Sequence, residues 1–197
     1  MAELTKEQID ILGEIANISM GSAATNLSMM LNQRVDITTP KVDIINRSAA
    51  LDDYEKTCVF VQIHYIKGIT GNNIFILKEP DILCMTDLMM GGAGNKEGEV
   101  TELHLSAASE AMNQMMGASS TSMSSMLSVM VDISTPEVSR IDVDSIKTFE
   151  KMFDSDEKDF VKITFRMEIG DLIDSIMVQL YPIHFAQELC AKFSLKD

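Results

Sequence analysis

The chain has 197 residues, 46% of them hydrophobic, enough to bury one continuous core in one domain or in two tightly packed halves. Thirty acidic against sixteen basic residues give a net charge of −14, and such a surface repels phosphate backbones and anionic headgroups, which argues against a nucleic-acid partner. Cys58, Cys84 and Cys190 lie far apart with no CxxC pair, and neither a signal-like leader nor a run of about 18 apolar residues occurs, so a reduced, cytosolic protein without a disulfide frame, zinc site or membrane span is expected.

Along the chain, Ile11, Ile15, Ile18 and Leu27 recur at helical spacing among the small residues Gly21, Ser22, Ala23 and Ala24, the pattern of a buried helix with one exposed edge. Val35-Asp36-Ile37-Thr38 alternates as a short strand, which Pro40 is expected to end. Cys58 to Leu77 reads as a hairpin turning at Gly71-Asn72-Asn73, and Pro80 to Met90 as a helix. Residues 91–102 form a solvated connection; their glycines lack the GK[ST] ending of a phosphate loop.

A second helix follows, then a strand at Val131-Asp132-Ile133-Ser134 closed by Pro136. The charged run 142–159 reads as another solvated connection. Phe160 to Ile183 forms a second hairpin bending at Gly170-Asp171, and Ile183 to Phe193 a last helix.

The two series are copies. Glu14–Val42 aligns without gaps on Glu110–Val138 at an offset of 96, with 14 of 29 positions identical. Each copy reads helix, strand, hairpin, helix. The fold class is therefore α+β with a mainly antiparallel sheet: one domain over 1–197 made of two pseudo-symmetric halves, about 1–92 and 98–197.

Polar residues interrupt both helices where the apolar pattern does not require them: Asp10, Glu14 and Asn17 in copy one, Ser106, Glu110 and Asn113 in copy two. The i, i+4, i+7 spacing puts each triad on one helical face. In both copies a proline, Pro40 or Pro136, stands 23 residues beyond the asparagine. A single ExxN is ordinarily a solvated face; duplication in register with the distant proline points to a site. The prolines themselves read as structural. Met115, Met116, Met123, Met126 and Met130 read as core filler, and His64, His104 and His184 share no spacing that would join them.

The pattern [D/S]xxxExxN, then 22 residues and proline, resembles the signature of the CheC/CheX/FliY phosphatases and occurs twice here. LHLSAASEAMNQMMGASSTSMS, MLNQRVDITTP and IGDLIDSIMVQLYP resemble the FliY flagellar motor switch branch. The likeness implies a phosphatase of the chemotaxis response regulator phospho-CheY at the flagellar switch, acting at the cytoplasmic face of the basal body with partners such as FliM, FliN or FliG. FliY proteins usually add a FliN-like C-terminal domain and often an N-terminal CheY-binding peptide. Neither is visible here, so the sequence reads as the catalytic middle of a FliY or a shorter relative nearer CheC.

Hydrolysis of an aspartyl phosphate calls for a water held in line beside it. A neutral carboxamide can accept from water and donate to a phosphoryl oxygen without adding negative charge. Asn17 and Asn113 are thus assigned to water positioning, and Glu14 and Glu110 to docking and orientation through a cation on the partner. Asp10 and Ser106 could cap, orient the glutamate or contact the partner, and partner binding is the role assigned to them here. No metal or cofactor of the chain's own is expected; Mg²⁺ is expected on CheY. The alternative is a non-catalytic switch scaffold or CheY-docking module.

Overall fold

Two long helices organise the molecule: α1 (Lys6–Leu31) and α3 (Glu102–Leu127). The computed structural model describes residues 4–50, 58–141 and 143–195. Both helices are built by the same local devices. Thr5 and Gln8 form a capping box, the Thr5 N–H donating to Gln8 Oε1 at 2.8 Å and the Gln8 N–H to Thr5 Oγ1 at 3.1 Å. The repeat-equivalent Thr101 N–H donates to His104 Nδ1 at 2.9 Å. Each helix ends on a left-handed residue, Asn32 or Ser128. Inside them Thr25 and Thr121 donate to the carbonyls of Gly21 and Gly117, both at 3.1 Å. The N–H groups of Val35 and Val131 donate to Ser28 and Ser124 Oγ, both at 2.8 Å, tying each helix to the chain that follows it.

The remaining elements are β1 (Val35–Asn46), β2 (Cys58–Lys67), β3 (Gly71–Lys78), α2 (Glu79–Met89), β4 (Asp132–Ile133), β5 (Glu137–Arg140), α4 (Val143–Met152), β6 (Asp159–Ile169), β7 (Ile173–Pro182) and α5 (Ile183–Leu195). The seven strands form one antiparallel sheet in the order β1-β6-β7-β3-β2-β4, with β5 also pairing β2. The first strand of each repeat therefore pairs with the hairpin of the other: β1 lies against β6, and β4 and β5 against β2. The two hairpins meet at β3 and β7.

Alternation along the strands gives the sheet two buried faces. Val59, Val61, Phe75, Val161, Ile163, Phe165 and Met177 join the core shared with α1, α2, α3 and α5. Their neighbours Phe60, Ile74, Ile76, Phe160, Val178 and Leu180 pack on the opposite face with Phe149 and Phe153. The three cysteines are buried free thiols, and burial pushes the Cys190 thiol up to about 11.

The α+β class, the antiparallel pairing, the bend at Gly170 (φ +49°) and the helices after both hairpins agree with the sequence reading. Four details differ. The strand after α1 does not stop at Pro40 but runs to Asn46, because β1 is an edge strand and a register shift between Thr38 and Lys41 absorbs the missing N–H. The first hairpin turns at 68–70 rather than at Gly71-Asn72-Asn73. A Cβ on Gly68 (φ +84°) would stand 2.3 Å from the Met130 carbonyl oxygen, so glycine is required there. Asn72 instead donates to the Met152 carbonyl at 3.0 Å, and Asn73 accepts from Gln179 Nε2 at 2.9 Å.

The charged run 142–159 is not merely a connection, since α4 within it plants Phe149 and Phe153 on the sheet. Arg47 pins its end, donating to the carbonyls of Glu150, Phe153, Asp154 and Glu157 and to the Glu150 carboxylate. Finally, Met115, Met116, Met123 and Met126 are core, but Met130 lies beyond the helix and is 65% exposed.

Candidate functional site

The buried stripe of α1 runs through Leu12, Ile15, Ala16, Ser19, Met20 and Ala23, and that of α3 through Ala108, Ala111, Met112, Met115, Met116 and Ser119. Both stripes face the sheet and the other helices, so the opposite edge of each helix must face solvent. Asp10, Glu14 and Asn17 are all exposed on that edge of α1; Ser106 and Glu110 are exposed on α3, and Asn113 is partly covered. Each triad is held by one rigid helix capped at its start and packed along its length. No hydrogen bond or ion pair among the described residues joins one triad to the other, so these are two separate faces.

Beside each face runs the chain carrying the repeat's proline. On α1, an open cleft is lined by Ile9, Asp10, Gly13, Glu14, Asn17, Pro40 and Val42. On α3, the Ser109 hydroxyl donates to the Pro136 carbonyl at 3.2 Å, which brings that ridge against the helix. Neither Asn17 nor Asn113 has a side-chain partner among the described residues, so both carboxamides present a donor and an acceptor to whatever docks. Glu14 is likewise unpartnered there, whereas Glu110 Oε1 accepts from Gln114 Nε2 at 3.0 Å.

Sequence reasoning did not single out Gly13, Ser109, Gln114 or the exposure of Ile18, which is 43% exposed rather than buried. At the same 96-residue offset Gly13 pairs with Ser109, one position before the aligned stretch, and Ile18 with Gln114 inside it. The signal was present as departures from identity at equivalent positions of the two helices.

Shifted titrations fall on other elements. Asp81, in the first turn of α2, is raised above the usual carboxylate range by burial, only partly offset by the Ser175 hydroxyl, Lys78 and Lys96. One of its oxygens, Oδ2, is buried without a partner. Glu157 is also raised by burial, with His184 opposing. Asp87 is lowered by the N–H groups of Asn95 and Gly94, each donating at 2.8 Å. The glycine-rich connection is thus folded around a carboxylate from the last turn of α2.

Among the described residues no group of three or more His, Cys, Asp or Glu side chains stands together as a metal cage would need. The α1 face has two carboxylates one turn apart, and the α3 face only Glu110, since Ser106 stands in place of the aspartate.

The model of the CheC-like family matches residues 7–44 and 103–140, the segments that carry the two triads and prolines. The chain is similar to the flagellar motor switch phosphatase FliY of Bacillus subtilis, at 44% identity over 188 residues, 95% of this chain and 49% of that protein. It thus spans about half the length of that relative. It is 24% identical over 144 residues to the CheY-P phosphatase CheC of the same organism, covering 69% of this chain and 68% of that one. The crystal structure of Thermotoga maritima FliY superposes with a TM-score of 0.93 at 38% identity, over 100% of both chains.

Proposed function

This chain belongs to the CheC-like family, and on that premise we propose that it is a phosphatase that dephosphorylates the response regulator phospho-CheY at the flagellar switch. One observation carries the reading. Two rigid helices each present a carboxamide without a protein partner, one turn beyond a solvent-facing glutamate, beside a proline ridge.

In the proposed reaction the regulator docks with its phosphoaspartate against α1 or α3. Glu14 or Glu110 pairs with a cation on the regulator beside the phosphoryl group, fixing the orientation. Asn17 or Asn113 accepts a hydrogen from a water through its carbonyl oxygen and donates from its amide to a phosphoryl oxygen. Water attacks phosphorus in line, the bond from phosphorus to the aspartyl oxygen breaks, and aspartate and inorganic phosphate leave. The chain supplies position rather than a covalent intermediate. Asp10 and Ser106 extend the docking face. Mg²⁺ sits on the regulator, in keeping with the sparse carboxylates of both faces.

We read residues 1–197 as one catalytic domain made of two repeats, working in the cytoplasm at the basal body with switch partners of the FliM, FliN or FliG type. The names carried by the FliY and CheC relatives support phosphatase activity in the chemotaxis switch. The test is the decay of acetyl-phosphate-labelled CheY with and without catalytic amounts of this protein. Multiple turnovers support the enzyme. Binding of labelled CheY without faster decay would favour a switch scaffold or docking module.

A further inference from the structure

The two faces stand on nearly identical frames. The helix-to-strand bonds from Val35 and Val131 are equal in length, as are the back-bonds of Thr25 and Thr121. What differs is the side chains that meet the triads. On α1 the residue before the glutamate is Gly13, which leaves the cleft beside Pro40 open. A Cβ built there meets nothing closer than Val42 Cγ2 at 3.9 Å. On α3 the equivalent residue is Ser109, whose hydroxyl is bonded to the Pro136 carbonyl.

Three further differences run the same way. Pro136 is buried and Asn113 partly covered, while Pro40 is only partly buried and Asn17 exposed. Glu110 is engaged by Gln114, while Glu14 has no partner among the described residues. Where α3 carries Gln114, α1 carries the exposed Ile18, one turn beyond Glu14.

We propose that the two faces are unequal: the α1 face, opened by Gly13, is the one that receives the phosphorylated regulator readily, whereas Ser109 and Gln114 hold the α3 face in a closed form. This rests on the phosphatase reading above. The physical reason is that a docking face must offer its glutamate to a cation and leave room for phosphoryl group and water beside the asparagine. On α1 both conditions hold before docking. On α3 the Glu110 carboxylate must first leave Gln114, and the ridge must part from Ser109, so only a fraction of the face is competent at any moment and apparent affinity falls by that fraction. Ile18 adds an apolar contact beside the charged pair on the open face only. Ser109, Gln114 and Gly13 are positioning residues; they act through the triads.

The experiment isolates one face at a time, using phospho-CheY and the full chain. In an Asn17→Ala background, which leaves α3 as the working face, Ser109→Ala removes the bond to Pro136 without glycine's helix penalty. Ser109→Gly also removes the Cβ. Each is expected to raise kcat/KM about two- to tenfold, the range for releasing one hydrogen bond, and to do so through KM rather than kcat. In an Asn113→Ala background, Gly13→Ser should lower kcat/KM through KM by a comparable factor, and Gly13→Ala by less. Melting temperatures report whether each variant is folded.

Asn17→Ala alone should lower activity more than Asn113→Ala alone. Equal losses from those two, together with no gain from either Ser109 variant, would overturn the inequality and leave the phosphatase reading intact. Full activity of a folded Asn17→Ala/Asn113→Ala variant would instead remove the phosphatase assignment and this inference with it.

Discussion

Replacing both asparagines by alanine is the perturbation that most cleanly separates chemistry from folding. Asn17 is exposed and Asn113 partly covered, neither has a side-chain partner among the described residues, and both lie inside capped helices. Removing such side chains breaks no internal bond, and alanine has the better helix propensity, by several tenths of a kcal/mol per site. The double variant should therefore melt within a few degrees of the parent, or slightly above it. Its rate should behave otherwise. Losing a positioning hydrogen bond at a developing charge lowers a rate on the order of 10²-fold or more, about 2.7 kcal/mol of barrier. With the two faces working in parallel as proposed, either single variant should keep part of the activity and only the double variant should lose it. The assay is the decay of acetyl-phosphate-labelled CheY at several enzyme concentrations, paired with a thermal melt of the same preparation. A folded double variant that still turned over at the parental rate would refute the assignment of these carboxamides to water positioning.

Glu14→Gln with Glu110→Gln should raise KM more than it lowers kcat, as expected of residues that dock rather than react; a collapsed saturated rate with unchanged binding of a stable phospho-CheY mimic would move them into the chemical step. Calorimetric titration of the isolated chain with Mg²⁺ should show no specific site while chelator still abolishes turnover; a saturable micromolar site lost in Glu14→Gln or Glu110→Gln would contradict a metal carried by the regulator. Arg47→Ala should destabilise the protein by about 2–3 kcal/mol, roughly 4–10 °C in Tm, because the carbonyls that end α4 lose their donor and Phe149 its guanidinium neighbour at 5.9 Å; an unchanged melt would show that α4 is not pinned by this residue. Burial raises the folded-state value of the Asp81 carboxyl, so its contribution to stability is present below the unfolded value near 4 and lost as pH rises through the folded one. Asp81→Asn should therefore narrow the difference in Tm between about pH 4 and pH 7, and an undiminished difference would assign that pH dependence to other groups.

The 96-residue repeat, the triads on one helical face, the positions of four of the five helices, both hairpins and the bend at Gly170 were legible in the sequence. These depend on local rules: 3.6-residue periodicity, alternation, and glycine at positive φ. The tertiary structure decided what those rules do not reach. Pro40 sits inside a strand because β1 lies at the sheet edge, where a missing N–H can be absorbed by a register shift, and edge or centre is a property of pairing, not of the segment. The exchange of β1 and β4–β5 between repeats joins residues more than 60 positions apart, a choice set by which pairing buries both faces of the hairpins. Phe149 and Phe153 look like incidents in a charged run until the far face of the sheet is seen to need a cover. The difference between Gly13 and Ser109 stands in the sequence, but it becomes an open cleft and a latched ridge only because folding lays each proline segment alongside its own helix.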